Sequence, residues 1–138
     1  MIVTRPAMPA EFADAQRFYD ACGYGGAAIV PTDTVILARE QERIVAIGRL
    51  CHEGGLLCLR GMQVHQDFQR QGLGTQVLRE LERAIGDTPC YCLPYGHLVT
   101  FYAQAGFARV GPDELPELLR ERLANNLQRG LDVIAMVR

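Results

Sequence analysis

The sequence predicts a single mixed α/β domain in which one β-sheet is flanked by helices. In the first half of the chain, three runs of strand-like hydrophobicity follow one another across short turns, which is typical of an antiparallel meander. In the second half, helical and strand-like segments alternate, which is typical of βα units. The chain has 138 residues, within the usual domain size of roughly 100–200 residues. No repeat or low-complexity run divides it, so one domain is predicted over residues 1–138.

The first half is predicted to contain one helix and four strands. Apolar residues recur at helical spacing between Pro9 and Cys22, and Gly23 is placed to end the helix. The segment Tyr24–Pro31, with two consecutive glycines, is predicted to be a loop. The predicted strands are Ile2–Arg5, Thr34–Glu40, Arg43–His52 and Leu56–Val64.

The second half is predicted to alternate three helices with three short strands. An apolar stripe with charged residues opposite predicts an amphipathic helix over Leu73–Ile85. The last helix, Leu115–Gln128, has Leu115, Leu118, Leu119, Leu123 and Leu127 on its apolar side and Glu117, Arg120, Glu121 and Arg122 outside. We interpret that apolar side as core packing, with a dimer interface or a wall of the substrate site as alternatives. The other elements are strand Pro89–Leu93, helix His97–Ala105, and strands Phe107–Val110 and Asp132–Val137.

The composition excludes several mechanisms. All 14 basic residues are arginine, and the sequence has no lysine and no serine. Without lysine there is neither a Schiff base nor a Walker-type phosphate loop, and without serine there is no Ser-His-Asp nucleophile. The formal net charge of −2 argues against a nucleic-acid partner, for which a basic excess is expected. Any phosphate must be bound by backbone N–H groups and arginine.

The cysteines and the apolar stretches predict a cytoplasmic protein without a metal. Five cysteines and no secretory signal indicate free thiols in a reducing compartment. Cys90 and Cys92 lack the paired spacing of a zinc site, and a thiol-based redox or metal role for them is the alternative. The stretch Thr88–Ala108 has no Asp, Glu or Arg. Because it divides into a strand-like and a helix-like half, we predict buried core and not a membrane span.

A glycine-rich turn follows the Leu56–Val64 strand and opens the next helix: Gln69-Arg70-Gln71-Gly72-Leu73-Gly74-Thr75. Glycine lets the backbone approach a ligand closely, and the free N–H groups of the first helical turn point toward that ligand. The turn therefore predicts an anion site suited to a diphosphate, with Arg70 adding a charged contact. A plain strand-to-helix turn is the alternative. The third glycine of the dinucleotide fingerprint is missing, because Val77 occupies its position.

A second motif, Phe101-Tyr102-Ala103-Gln104-Ala105-Gly106-Phe107, lies about 30 residues further on. Together with the strand end and the glycine-rich turn, this motif resembles the signature of the GNAT N-acetyltransferase superfamily. The resemblance implies an α/β (α+β) fold with a mixed, centrally splayed β-sheet flanked by helices, and acetyl-CoA as co-substrate. It implies that Met62, Gln63 and Val64 bind the pantetheine arm, that Gln69, Arg70, Gln71, Gly72, Leu73, Gly74 and Thr75 bind the pyrophosphate, and that Tyr102 is a general acid toward the departing sulfur.

Two positions depart from the superfamily pattern. The family often has an asparagine before the tyrosine, where this chain has Pro94-Tyr95-Gly96-His97, and a glutamate on the strand before the turn, where this chain has no carboxylate. The general base is therefore unassigned. His97 is a candidate because histidine titrates near neutrality. Arg60 is a candidate to bind an acidic substrate, with a sheet ion pair as the alternative, and we interpret His52, Glu53 and His65 as surface groups.

The sequence thus predicts a cytoplasmic acyltransferase, an acetyl-CoA-dependent N-acetyltransferase of GNAT type. The acceptor is expected to be a primary amine of a small molecule or peptide, acetylated by direct transfer. No nucleic-acid or membrane partner is expected, and a homodimer is left open. A regulatory module that binds acyl-CoA without turnover is the alternative function. The sequence does not identify the acceptor, because its identity depends on the loop Tyr24–Pro31 and other variable surfaces.

Overall fold

The computed structural model describes residues 1–138 and contains four α-helices and seven β-strands. The helices are α1 (Phe12–Ala21), α2 (Leu73–Ile85), α3 (Val99–Ala103) and α4 (Glu117–Gln128). The strands are β1 (Ile2–Pro6), β2 (Thr34–Glu40), β3 (Arg43–Glu53), β4 (Leu56–Val64), β5 (Cys90–Cys92), β6 (Ala108–Val110) and β7 (Ala135–Val137). The order of elements is as predicted, and their ends differ from the predicted ends by at most three residues. Single 3₁₀ turns before α1 and α3 account for the later starts of these two helices.

All seven strands form one sheet in the order β1-β2-β3-β4-β5-β7-β6. Neighbours pair antiparallel except β4 and β5, which are parallel. This parallel pairing extends only from Leu57 opposite Cys90 to Leu59 opposite Cys92. Residues 60–64 of β4 therefore have no strand partner on that side, and the sheet opens between β4 and β5. The predicted mixed and centrally splayed sheet is confirmed.

The helices cover both faces of the sheet. The predicted apolar stripe of α2 is buried, and with α3 it packs on the face that includes Ile36 and Leu59. On the opposite face, α1 packs near Leu37 and α4 packs near Cys58. Because neighbouring residues of a strand point to opposite faces, each central strand contributes to both layers. None of the four helices is long and apolar enough to cross a bilayer.

The buried face of α4 differs from the predicted one. Leu118 and Leu127 are 41% and 48% exposed, while Arg122 is half-buried and lies on the inner side. At 3.6 residues per turn, Leu118 and Leu127 lie about 100° and about 80° from Leu119, in opposite directions around the helix. The sheet can cover only the arc between them. Cys22, predicted to belong to the apolar side of the first helix, is likewise exposed, because α1 ends at Ala21.

Candidate active site

Two neighbouring cavities open where β4 separates from β5. The larger, about 460 Å³, lies between β4, β5, α4 and the loop after α1, and we name it the sheet cavity. The smaller, about 400 Å³, lies between the end of β4 and the start of α2, and we name it the turn cavity. Met62 and Gln63 line both cavities. A ligand lying along the unpaired end of β4 can therefore reach both spaces.

The turn cavity brings together nine of the ten residues predicted to bind the cofactor. Gln71 is the exception: it is exposed and does not line the cavity. Phe68 and Phe101 also line it. The nine residues are Met62, Gln63, Val64, Gln69, Arg70, Gly72, Leu73, Gly74 and Thr75.

The start of α2 has the properties of an anion site. Gly72 adopts a left-handed conformation with φ 79°, and a Cβ built there meets no atom within 4 Å. The first hydrogen bond of the helix runs from the Gln76 N–H to the Gly72 carbonyl, 3.1 Å. The helix has no side-chain cap and no carboxylate in its first turn. The first-turn N–H groups are thus available to a ligand, with the positive end of the helix dipole behind them.

Arg70 adopts a conformation that is unusual for a residue with a side chain. Its φ is 64°, in the left-handed region, where a non-glycine residue costs roughly 1–2 kcal/mol. The neighbouring Gln69 amide donates to the Val64 carbonyl, 3.3 Å, and so ties the turn to the end of β4. Strain of this kind persists only where the surrounding structure enforces it, and it is concentrated at functional sites.

A bulge in β4 lies where the two cavities meet. Between Ile47 and Arg49, β3 advances two residues, while β4 advances three residues between Arg60 and Gln63. Gly61 absorbs the extra residue with φ 68°, and its carbonyl accepts a hydrogen bond from the Tyr19 hydroxyl, 2.9 Å. The bulge changes the direction of the β4 backbone next to Met62.

Tyr102 lines the sheet cavity from α3. The residue is 5% exposed, and the rings of Phe101 and Phe107 contact it edge-on at centroid distances of 5.0 and 6.1 Å. Its hydroxyl is in no hydrogen bond with the chain. Burial raises the pKa of Tyr102 well above its usual value, with the neighbouring Cys92 contributing in the same direction. The hydroxyl is therefore protonated at neutral pH and can act as an acid.

His97, the predicted candidate for the base, is not brought into either cavity. It is exposed and stacks on the ring of Tyr95 with centroids 6.0 Å apart. His65 is also outside, and its Nδ1 accepts a hydrogen bond from the Asp67 N–H at 3.1 Å. No histidine, aspartate or glutamate lines the sheet cavity. The structure therefore supplies no general base among the residues in contact with that space.

The expectation that Glu53 is solvated is wrong. Its side chain is only 21% exposed and lies between two arginines, with Oε1 2.7 Å from Arg60 Nη1 and Oε2 2.5 Å from Arg122 Nη2. Burial by itself raises the pKa of Glu53, but the hydrogen bonds from Arg60 and Arg122 outweigh burial and lower the pKa below its usual value. The carboxylate is ionised and ties α4 to the sheet. The alternative of a sheet ion pair for Arg60 is thus observed.

A buried arginine holds the loop that lines one side of the sheet cavity. Arg49 on β3 is fully buried and pairs with Asp33, Nη1 to Oδ2 3.2 Å. Its Nη2 donates to the Ala27 carbonyl, 2.5 Å, and its guanidinium lies 5.3 and 5.7 Å from the ring centroids of Tyr19 and Tyr24. Nothing in the sequence pattern distinguishes this arginine from the exposed ones. The cluster fixes the loop position, because a buried charge without these partners is strongly unfavourable.

Three polar residues on α4 or directly after it, which sequence reasoning missed, also line the sheet cavity: Arg122, Asn126 and Arg129. Arg122 was expected on the outer face. With Leu119 these residues are separated by three, four and three positions, which places them on one side of a helix. That spacing is visible in the sequence. It was obscured because five leucines in the same segment also fit a helical stripe.

The burial of the cysteines bears on the redox alternative. Cys58, Cys90 and Cys92 are buried free thiols. Burial raises the pKa of Cys58 to about 11 and that of Cys90 to about 12. Such thiols are poor nucleophiles at neutral pH, because the thiolate is the reactive form. The structure has no group of three or more His, Cys, Asp or Glu side chains placed to hold a metal ion.

Comparison with known proteins identifies the family. The family model of the acetyltransferase (GNAT) domain matches residues 31–109, more than half of the chain. This range contains β2 to β5, the glycine-rich turn, Tyr102 and both shared residues of the cavities. No curated protein sequence matches significantly.

Solved structures share the fold at low sequence identity. Escherichia coli ElaA is 17% identical with a TM-score of 0.72, and the match covers 100% of this chain and 99% of that one. The ribosomal-protein-S18-alanine N-acetyltransferase from Escherichia coli is 15% identical with a TM-score of 0.66, covering 99% and 92%. N-acetylglutamate synthase from Neisseria gonorrhoeae, complexed with coenzyme A and N-acetyl-glutamate, is 18% identical with a TM-score of 0.70. The match covers 100% of this chain and 35% of the synthase. The chain belongs to the GNAT family of acetyltransferases.

Proposed function

We propose that this chain is an N-acetyltransferase that moves the acetyl group of acetyl-CoA directly to a primary amine of a small molecule or peptide. The observation that carries the proposal is the junction of the two cavities at Met62 and Gln63, with Tyr102 lining the larger one. In this proposal the turn cavity binds the coenzyme A portion of the donor. The sheet cavity binds the acceptor.

The residues around the turn cavity fit the donor. A diphosphate needs hydrogen-bond donors and positive charge, and the uncapped start of α2 and the Arg70 side chain supply both. Residues 60–64 of β4 have no strand partner on the β5 side, so their backbone groups on that side can bind an extended amide chain such as pantetheine. Because the chain has no lysine, Arg70 is the charged side chain placed at this turn.

The proposed chemistry is a single displacement. The acceptor nitrogen, as the neutral amine, attacks the thioester carbon; the new carbon–nitrogen bond forms as the carbon–sulfur bond breaks. Backbone N–H groups near the end of β4 stabilise the negative charge that develops on the carbonyl oxygen. Tyr102 donates its proton to the departing sulfur and regains one from solvent. The amine proton leaves through water, since no carboxylate or histidine lines the cavity.

Two of the similar proteins have names that support an amine acceptor. One is a synthase of N-acetylglutamate, and the other acetylates an alanine of a ribosomal protein. A cytoplasmic location is part of the proposal, supported by five free cysteines. Leu118 and Leu127, exposed on α4, are where we expect a homodimer contact if one forms.

The alternative is a regulatory module that holds acyl-CoA without turnover. The absence of a base in contact with the sheet cavity favours it. The decisive experiment measures release of the free thiol from acetyl-CoA across a panel of amines, amino acids, polyamines and peptides, for the wild type and Tyr102→Phe. We expect turnover with at least one class, a loss of roughly 100-fold in kcat for Tyr102→Phe, and unchanged acetyl-CoA binding by calorimetry. Binding of acetyl-CoA without acetylation of any amine would establish the regulatory module instead.

A further inference from the structure

The sheet cavity has an excess of positive charge. Three arginines line it: Arg60 from β4, Arg122 from α4, and Arg129 directly after α4. No aspartate or glutamate lines it. The carboxylate that pairs with them is Glu53, which contacts Arg60 and Arg122. Glu121 lines a neighbouring surface cavity with Arg122 and Arg129 but forms an ion pair with neither. One ionised carboxylate against three guanidinium groups leaves two positive charges without a counter-ion.

These arginines have hydrogen-bond donors to spare. A guanidinium carries five N–H donors, and Glu53 uses one nitrogen of Arg60 and one of Arg122. The Arg129 side chain has no carboxylate partner, and its one hydrogen bond is a long contact with the Asn126 amide oxygen, 3.5 Å. Arg122 and Asn126 on α4 and Arg129 at its C-terminal end follow one side of the helix, and all three line the sheet cavity.

We propose that the acceptor is an amine that also carries a carboxylate, an aminocarboxylate such as a free amino acid, and that Arg122 and Arg129 bind this carboxylate. This inference rests on the proposed function, because it names the acceptor class of the same site. Arginine matches a carboxylate with two parallel hydrogen bonds, which fixes the direction of the bound molecule as well as its charge. A cavity of about 460 Å³ suits a small molecule.

The same charges select against other amines and assist the reaction. A polyamine would bring a second positive charge near two arginines that lack a counter-ion. A lysine side chain would bring its one positive charge without a carboxylate to offset it. An aminocarboxylate brings one negative charge for the arginines and one amine for the reaction. Nearby positive charge disfavours an ammonium group and so lowers the pKa of the bound amine. The neutral, nucleophilic form then becomes accessible without a carboxylate base, which the cavity lacks.

The test compares amines that differ only in the carboxylate. Glycine, alanine and glutamate are assayed by thiol release from acetyl-CoA against their amides and methyl esters, with a polyamine and an alanine-first peptide as further arms. For the wild type we expect the free acid to be preferred over its amide by roughly 10- to 100-fold in kcat/KM, the loss expected when a charge-assisted hydrogen bond is removed. The peptide arm separates a free amino acid from a protein amino terminus as the source of the amine.

Variants of the chain complete the test. Arg129→Gln should lose about 10-fold for the free acid and little for the amide, and Arg129→Glu should reverse the preference. Arg109→Gln is the matched control, because Arg109 is another exposed arginine with no ion pair, lies on β6, and lines neither cavity. Acetyl-CoA binding, measured by calorimetry, should be unchanged in all three. A loss of acetyl-CoA affinity in Arg129→Gln would overturn the inference by assigning the arginine to the donor.

Further outcomes distinguish this inference from the proposed function. Turnover of amides, polyamines or the peptide at rates equal to the free acids would overturn the acceptor class and leave the N-acetyltransferase proposal intact. If no amine turns over, the proposed function fails, and binding is then measured by calorimetry on protein saturated with coenzyme A. Binding of N-acetylalanine in preference to its methyl ester would still support the carboxylate site, and equal or absent binding of both would overturn it.

Discussion

A single substitution at Gly72 tests the assignment of the turn cavity to the donor. Gly72 has φ 79°, and a Cβ at this position meets no atom within 4 Å. Gly72→Ala therefore adds backbone strain of about 1–2 kcal/mol without a clash. That strain lowers the free energy of unfolding but leaves the anion site open. Gly72→Glu adds the same strain and also places a negative charge where we expect the pyrophosphate.

The size of the charge effect follows from Coulomb's law. At a separation of about 5 Å and an effective dielectric constant of about 20, one pair of like charges costs about 3 kcal/mol. Screening by salt reduces this value at an exposed turn. We expect the dissociation constant of acetyl-CoA to rise roughly 30- to 100-fold in Gly72→Glu, and by less than about threefold in Gly72→Ala.

The assay is isothermal calorimetry with acetyl-CoA, accompanied by urea denaturation to show that each variant is folded. Gly55→Glu is the matched control, because Gly55 has the same φ of 79°, the same open space, and lies in the turn between β3 and β4 outside both cavities. Gly55→Glu should bind as the wild type does. Equal acetyl-CoA affinity for Gly72→Glu and the wild type would refute the placement of the pyrophosphate at this turn.

Three other predictions concern strain and charge. Arg70→Gly relieves a left-handed conformation at φ 64°, so the urea midpoint should rise by the equivalent of about 1 kcal/mol. The affinity for acetyl-CoA should fall roughly 5- to 30-fold because the positive charge is lost. A stable variant with unchanged acetyl-CoA affinity would show that Arg70 does not contact the donor. Gly61→Ala places a Cβ 2.3 Å from the Tyr19 hydroxyl and should cost at least about 2 kcal/mol of unfolding free energy. Tyr19→Phe should restore part of this cost in the double variant, and no restoration would show that the hydroxyl contact does not set the cost. Hydrogen bonds, the strongest of them from Arg5, lower the pKa of Glu11 from 4.5 to about 2. The stability that Glu11 contributes is therefore present above about pH 4.5 and is lost as the pH falls toward 2. Urea denaturation over this range should show the difference in unfolding free energy between the wild type and Glu11→Gln disappearing, and a constant difference would contradict the lowered pKa of Glu11.

The order of elements could be predicted because periodicity and turn residues are local properties. The short turns that separate β2, β3 and β4 and the helical stripe of α2 lie in consecutive residues, and the structure confirms the strands and the helix that they predict. Helix ends were less accurate, because one-turn 3₁₀ segments such as Pro9–Glu11 use the same residue types as the first turn of an α-helix. The family could be inferred because its motifs are short, contiguous and separated by a fixed length of chain.

The candidate site could be predicted only in part, for a related reason. Apart from Phe101 on α3, the residues of the turn cavity lie within residues 62–75, so their proximity follows from the sequence alone. The sheet cavity combines residues from the loop after α1, β4, β5, α3 and α4, which lie far apart in the chain. The inward position of Arg122 and the outward position of His97 depend on how α4 and the turn before α3 sit on the sheet. No local sequence pattern encodes how these elements are oriented against the sheet.

By itself, the sequence determined the α/β class, the glycine-rich turn at the start of α2 and the reliance on arginine for positive charge, because each depends on residue types or on neighbours along the chain. Only the tertiary structure decided which charged side chains are paired, buried or free to bind a ligand. The ionised Glu53 carboxylate is paired with Arg60 and Arg122. Arg49 is buried beneath the loop that it holds, and Arg129 has no carboxylate partner. The physical reason is that the effect of a charge depends on burial and on distance to other charges, and folding sets both.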